Sequence, residues 1–395
     1  MPTKLDVFLA IAIAGNLTIK EIIQKTPSIK YLSAYKYIKQ LKEEGFIINQ
    51  KNIYLANTTT KSKELFSLIY FCFKNGLDYN VLINENIAKY LLSGYEQEYI
   101  AIKQFNNKTI KKFNSPLSKA GFIFIESKKP LKVRLIPSSF TDLLVKHFLN
   151  KNKICKFNYS NIDIDNKIEK AFSKFKTKHK TILADEIKFV YTSLSLEGIT
   201  LTLPQTEKLL KSNISPNVPL FKDIQQTTDY KKAINFLIET DLNLDNIFKF
   251  HRIAMNSLSY GAGEVRKQNV KVKGNPDFTT PDYNELPSLL AKFNLSLIKT
   301  INSKSIKQKP SKIIEDASYL HNQFQRIHPF IDGNSRTSRA IFSIYLTKFG
   351  FPLINIPAGY FDIYMLQTKL SKKRDDEAFK KIMKLIVLKN LEERE

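Results

Sequence analysis

Apolar residues recur along the chain with a changing period, and each change marks an element. Val7 to Ala14 is nearly all apolar and predicts a short helix starting at Asp6. After Gly15-Asn16, Thr18 can cap a second helix through Gln24, with Ile19, Ile22 and Ile23 on one face. Pro27-Ser28 opens a longer third helix to about Glu44, where Ala34, Ile38 and Leu41 keep the spacing of a buried stripe. Gly45 stops it. Phe46-Ile47-Ile48 and Ile53-Tyr54-Leu55, joined by polar Asn49 to Asn52, predict a two-stranded ribbon. Lys63–Lys74, Asn84–Leu92 and Thr141–Leu149 have helical spacing, while Phe122–Ile125 and Lys132–Ile136 read as strands around a Ser127–Pro130 turn. A helix from about Ile313 to Arg326 runs into His328-Pro329, where the proline ends it, and another continues as Ala340–Phe349. Phe324, Ile327, Phe330, Ile341, Phe342 and Leu346 are the expected core of that pair.

Three helices followed by a hairpin, with the third helix longest, resemble the winged helix-turn-helix family. In that family the third helix enters the DNA major groove. The resemblance implies contacts from Lys30, Tyr31, Ser33 and Lys36, with Tyr37 beside them. Lys and Ser can reach phosphates, and Tyr can stack or hydrogen-bond. No Arg, Asn or Gln stands at the start of this helix for a bidentate base contact. A winged helix used for protein contacts or dimerisation therefore stands as the alternative.

Composition narrows the partners less than its size suggests. The 395 residues carry a formal charge of +25, but 54 of the 62 basic residues are Lys and only 8 are Arg. The excess is spread as +4 over 1–56, +10 over 57–160, +2 over 161–240 and +9 over 241–395. A phosphate-binding surface needs a local cluster, so the total names no partner. Cys72 and Cys155 cannot build a disulfide framework or a cysteine zinc site, which makes a reducing, cytoplasmic setting the expectation. His147 and His179 lack a second ligand at metal spacing and read as surface or packing residues. No apolar run approaches the ~18–20 residues that span a bilayer, so no membrane partner is expected. Met1–Gly15 has the outline of a secretory leader, but Asp6 and the helical pattern that follows argue against one.

The densest chemistry is Ile327-His328-Pro329-Phe330-Ile331-Asp332-Gly333-Asn334-Ser335-Arg336-Thr337-Ser338-Arg339. Gly333-Asn334-Ser335 predicts a tight turn before a helix, and backbone amides there would bind an anion. Arg336 and Arg339, three apart, project from one side of that helix. A histidine, a carboxylate, an amide-lined turn and two arginines this close suit catalysis on a polyphosphate better than packing.

These residues resemble the signature of the Fic family, His-Pro-Phe-x-(Asp/Glu)-Gly-Asn-(Gly/Lys)-Arg with a second Arg three residues on. Gly263-Glu264-Val265-Arg266 leading into Val270-Lys271-Val272-Lys273-Gly274 is similar to the Gly-x-x-Arg stretch and hairpin flap of that family. His321 and Phe324 fall on the preceding helix, where a structural role is expected. Ser193-Leu194-Ser195-Leu196-Glu197-Gly198 matches the family's (Ser/Thr)-x-x-x-Glu-(Gly/Asn) inhibitory motif, with Thr200-Leu201-Thr202 fitting behind it. The similarity covers about 181–390.

The resemblance implies transfer of AMP from ATP to a Tyr, Thr or Ser hydroxyl of a target protein or of the chain itself. His328 is then the base, its unperturbed pKa near ~6.5 suiting the task. Asp332 is expected to hold Mg²⁺, while Gly333, Asn334 and Ser335 hold phosphates and stabilise developing charge. Arg336 is assigned to the β-phosphate and Arg339 to the γ-phosphate. Val270, Lys271, Val272 and Lys273 would dock the target segment by strand addition. Ser193, Glu197 and Gly198 would inhibit, with the Glu197 carboxylate paired to Arg339 in place of the γ-phosphate. One departure is Ser335, where most active members have Gly; Ser adopts the turn less freely and can crowd a phosphate, so it is expected to be tolerated with an altered nucleotide preference. The Lys of phosphotransferring relatives is absent there.

The expected architecture is mainly α: a winged helix over 1–56, an unassigned α+β region over 57–180, and a Fic-type helical domain with a β-hairpin flap over 181–395. The competing readings are a DNA-binding regulator using the Fic half as a nucleotide sensor, a toxin-like enzyme acting on a translation or topology factor, and a de-AMPylating enzyme. A homodimer stays open, since nothing in the sequence specifies an interface.

Overall fold

A computed structural model describes residues 2–394 except 98, 154–161, 177–182, 217–220, 259–260, 273–274, 276, 303–307 and 373–374. The chain is mainly helical and divides into two compact units, residues 1–157 and 158–395.

In the first unit, α1 (Lys4–Ala14), α2 (Ile19–Lys25) and α3 (Tyr31–Glu43) precede the antiparallel ribbon β1 (Ile47–Gln50) and β2 (Ile53–Ala56). Thr3 with Asp6, and Thr18 with Glu21, close capping boxes that fix where α1 and α2 begin. The third helix starts later than the Pro27-Ser28 signal, because Ser28 takes a left-handed φ of 69° and turns the chain first. Leu17 pairs with Tyr54 through both backbone bonds, at 3.1 and 2.8 Å, so the link between α1 and α2 edges the ribbon.

There follow α4 (Thr60–Lys74), α5 (Tyr79–Leu82), α6 (Glu85–Leu92), α7 (Asn107–Ala120), the hairpin β3 (Ile123–Lys128) and β4 (Leu131–Leu135), and α8 (Ser139–Leu149). Val7, Leu41, Leu68, Ile87, Phe122 and Val145 belong to one continuous core running from α1 to α8. Ser62 Oγ donates to the Phe46 carbonyl at 3.0 Å, joining α4 to the start of the ribbon. His147 packs here, its ring 6.1 Å from Phe46 and Nδ1 3.4 Å from Glu64. His179 lies outside the described residues.

The second unit contains α9 (Ile164–Lys176), α10 (Leu183–Ser195), α11 (Leu203–Ser212), α12 (Phe221–Glu239), α13 (Leu244–Ala254), α14 (Leu286–Asn302), α15 (Pro310–Ile327), α16 (Asn334–Lys348), α17 (Phe361–Gln367) and α18 (Asp376–Glu392). At its centre α15 and α16 pack together, with α9 and α18 against α15 and with α10, α12 and α13 against α16. Phe324, Ile327, Phe330, Ile341, Phe342 and Leu346 are all buried, as the apolar spacing predicts. Helix α16 begins at Asn334, so Asn334, Ser335 and Arg336 form its first turn and are not a loop ahead of it.

The expected β-hairpin over 270–280 is not a strand pair among the described residues. Its limbs are tied through side chains instead: Thr280 Oγ1 donates to Val270 O at 2.9 Å and Asn269 Nδ2 to Asp282 at 2.9 Å. Pro281 has no amide to contribute to a ladder. Lys273, expected in this flap, lies outside the described residues.

Candidate functional site

The sharp passage from α15 to α16 arises from three local features. His328 caps α15 in a left-handed conformation (φ 50°, ψ 56°), unusual for a side chain of its size. Arg266 holds it there: Nε donates to the His328 carbonyl at 2.8 Å, and the Arg266 amide donates to Pro329 O at 2.8 Å. The remaining guanidinium donors reach Gln268 O at 2.9 Å and Pro281 O at 2.7 Å, tying the 267–282 segment to the same loop. Asn334 closes the loop from the other end, accepting from the Phe330 amide at 3.0 Å and donating to the Phe330 carbonyl at 2.8 Å. Its side chain is thereby committed to the backbone, and its amide sits in the first turn of α16.

Gly333 caps α16 with φ 82°, and a Cβ there would lie 2.8 Å from both His251 Nε2 and Met255 Sδ. Only glycine fits both the dihedral and the space. The helix starts without a side-chain cap, so its first-turn amides point outward as an anion site. Beside them the Nδ1–H of His328 points toward Gln325 O at 3.4 Å, which makes Nε2 its basic nitrogen.

Arg336 and Arg339 are both buried at this turn. Arg336 pairs with Asp332 through Nη2 at 3.0 Å, while its Nε and Nη1 are buried with no hydrogen-bond partner. Two desolvated, unpaired guanidinium donors are costly and call for an anion. Burial of Asp332 opposes its ionisation, but Arg336 and the Gly333 amide hold the carboxyl below the usual range. Its side chain is still 64% exposed. Magnesium takes one or two carboxylates together with phosphate oxygens and water, and Asp332 fits that donor set. No group of three or more His, Cys, Asp or Glu side chains gathers among the described residues.

Arg339 is held by α10 through Nε and Nη2. Its Nε donates to Ser193 Oγ at 2.8 Å, and Nη2 donates to Ser193 O at 2.8 Å and Glu197 Oε1 at 2.6 Å. Burial works against the Glu197 charge, but Arg339 first and Arg336 second keep its carboxyl below the ordinary value. Gly198 then takes φ 90°, turning the chain away after the carboxylate. Helix α10 is held at its opposite end by Arg394 on Asp185 at 2.6 Å and by Lys231 on Glu186.

Two residues with no signal in the sequence pattern complete the site. Tyr230 of α12 is fully buried, donates to Arg336 O at 3.1 Å and lies 2.8 Å from Ser193 Oγ. His251 of α13 stacks on Phe330 with ring centroids 3.5 Å apart. Burial pushes its pKa down to about 4, against the pull of the Asp332 carbonyl. His321 is packed on Phe379 with Nε2 3.0 Å from the Tyr364 hydroxyl.

The structure therefore brings together His328, Asp332, Gly333, Asn334, Ser335, Arg336, Arg339, Ser193 and Glu197. Val270 joins them through Arg266 and Thr280, whereas Lys30, Tyr31, Ser33 and Lys36 belong to the other unit.

Residues 241–346 match the Fic/DOC family. The chain is similar to curated proteins named Protein adenylyltransferase Fic: 27% identical over 197 residues to that of Drosophila persimilis, covering 48% of this chain and 37% of the fly protein. The corresponding figures for Drosophila erecta are 26% over 196 residues, 48% and 38%. The chain thus spans less than two fifths of the length of these relatives. Among solved structures, a Fic domain containing signaling protein from Bacteroides thetaiotaomicron aligns at 22% identity over 58% of this chain and 96% of its own, with TM-score 0.47. Fic-1 from C. elegans aligns at 19% identity over 58% and 71%, with TM-score 0.49.

Proposed function

We propose that this chain transfers AMP from ATP to a Tyr, Thr or Ser hydroxyl of a protein, itself included, and that Glu197 restrains the reaction. The observation that carries the reading is Arg336, a buried guanidinium with two unpaired donors beside an uncapped helix start. That combination demands an anion with several oxygens, and the similarity to proteins named adenylyltransferase supports ATP as its source.

In this reading the first-turn amides of Asn334, Ser335 and Arg336 hold the phosphates, with the Arg336 side chain on the β-phosphate and Arg339 on the γ-phosphate. Asp332 would hold Mg²⁺, which when bound neutralises charge on the phosphates. The acceptor oxygen bonds to the α-phosphorus as the bond from that phosphorus to the bridging oxygen breaks. The hydroxyl proton passes to His328 Nε2, and pyrophosphate leaves. Val270, Lys271 and Val272 would align the acceptor segment through their backbone. Arg339 can meet the γ-phosphate only after Glu197 gives it up, which is the basis of the restraint.

Labelled ATP with Mg²⁺ tests this on wild type, Glu197→Gly and His328→Ala. Labelling should rise in the first variant and vanish in the second; equal labelling of wild type and Glu197→Gly removes the inhibitory role. Loss of label from a modified protein on adding wild type would instead make removal of AMP the main direction.

A second role is proposed for residues 1–56 as a winged helix on DNA, ahead of a connecting region over 57–180 and the catalytic part over 181–395. Lys30, Tyr31, Tyr35 and Lys36 lie exposed on or just before α3, which supports this reading, with Ser33 half-buried among them.

A further inference from the structure

We infer that His251 is a positioning residue that orients the Asp332–Gly333 peptide for nucleotide binding, an inference that rests on the nucleotide site proposed above. The imidazole is 2% exposed and touches four parts of the site at once. Its face lies on the Phe330 ring at an interplanar angle of 12°. Its Nδ1 accepts from the Gly263 amide at 2.8 Å, which leaves the proton on Nε2. Nε2 then donates to the Asp332 carbonyl at 2.8 Å. The same nitrogen forms part of the wall that excludes a side chain from Gly333.

The peptide so held is the one from which the proposed cation ligand and the anion-binding amides both spring. On one side is the Asp332 carboxylate, and on the other is Gly333, whose φ of 82° directs the first-turn amides of α16. The Gly263 bond extends the brace in the other direction. Three residues later Arg266 grips the His328 carbonyl, so His251 joins the phosphate turn to the loop that carries the base. No other uncharged side chain offers a donor and an acceptor on well-separated edges of a flat ring that can also stack. Outer partners of this kind fix the groups that touch the ligand.

The test uses the full chain in the Glu197→Gly background and compares His251→Phe with His251→Gln. Phe keeps a flat ring against Phe330 and loses both hydrogen bonds; Gln can restore a donor to the Asp332 carbonyl. Three quantities are read: MgATP affinity by calorimetry, the midpoint of thermal unfolding, and labelling by ATP. The expected result is that His251→Phe unfolds cooperatively but binds MgATP about tenfold or more weakly, the scale seen for outer-shell partners. His251→Gln should recover part of that affinity. Unchanged affinity in His251→Phe overturns the inference, as does an equal loss in both variants that tracks the unfolding midpoint. Because binding is read apart from labelling, a parent protein that binds MgATP and labels nothing refutes AMP transfer while leaving the His251 comparison decisive. A parent that does not bind MgATP refutes both.

Discussion

The Arg339 guanidinium donates to the Glu197 carboxylate at 2.6 Å although 142 residues separate the two. With Ser193 this contact accounts for Nε and Nη2 of Arg339, whereas Arg336, one turn earlier, keeps two donors unpaired. Arg339 is tied to α10, whereas Arg336 pairs only through Nη2 with Asp332.

On the proposed reading, Glu197→Gly frees Arg339 for the γ-phosphate. A hydrogen bond to a charged group contributes about 1.5–3 kcal/mol, so AMP transfer should rise roughly ten- to a hundredfold. The same change leaves a buried guanidinium uncompensated, costing about 3–5 kcal/mol of stability without ligand. A thermal scan should show Glu197→Gly melting below wild type, and MgATP should raise its midpoint further than that of wild type.

The restraint should be insensitive to mild acid. The folded-state pKa of Glu197 lies below its ordinary value of 4.5, so the Arg339 contact is fully present above that value. It is lost only as pH falls further, through the folded pKa. The labelling ratio of Glu197→Gly to wild type should stay level from pH 8 to about pH 5.5.

Arg336→Met should separate binding from folding. The wild-type side chain leaves two donors unsatisfied, so an apolar replacement of similar length removes a desolvation cost along with the Asp332 pair. Stability without ligand should change by less than about 1 kcal/mol, while nucleotide affinity falls by tenfold or more. Denaturant unfolding and calorimetry on the same preparation check both halves.

Gly333→Ala meets a forbidden φ and two contacts of 2.8 Å. The expected cost is about 1–3 kcal/mol in unfolding free energy, with loss of nucleotide binding as the turn shifts. Ser335→Gly, two residues on, meets neither constraint and should fold as wild type does.

For the amino-terminal unit, a duplex DNA titration of wild type and Lys30→Ala/Lys36→Ala at several salt concentrations is decisive. If α3 contacts phosphates, the double variant should bind more weakly on all sequences and lower the salt slope by roughly 2. Equal binding by both proteins would leave α3 to protein contacts.

Much of the site was legible because its residues are neighbours in the chain. His328 to Arg339 spans one helix end and one helix start, so turn and helix rules place the carboxylate, the amides and both arginines. The cap at Thr18 marked α2 for the same local reason, whereas α1 begins at Lys4 on a Thr3 cap, two residues before its expected start at Asp6. What escaped is non-local: Tyr230 reaches Arg336 across 106 residues, and His251 reaches Asp332 across 81. Neither sits in a spacing pattern that sets it apart from an ordinary buried residue. The 270–280 flap rested on the family resemblance alone, and no strand pair forms among its described residues, where Arg266, Thr280 and Pro281 show how its limbs are joined.

The hydroxyls of Ser193 and Tyr230 carry a last consequence. Arg339 Nε donates to Ser193 Oγ, Ser193 can donate only onward to Tyr230, and Tyr230 donates to the Arg336 carbonyl, so every proton in the relay points the same way. The Arg339 guanidinium is thus joined through two hydroxyls in series to the backbone of α16 at Arg336. Measured losses for Ser193→Ala and Tyr230→Phe should not sum in the double variant, because the two hydroxyls touch and act in series.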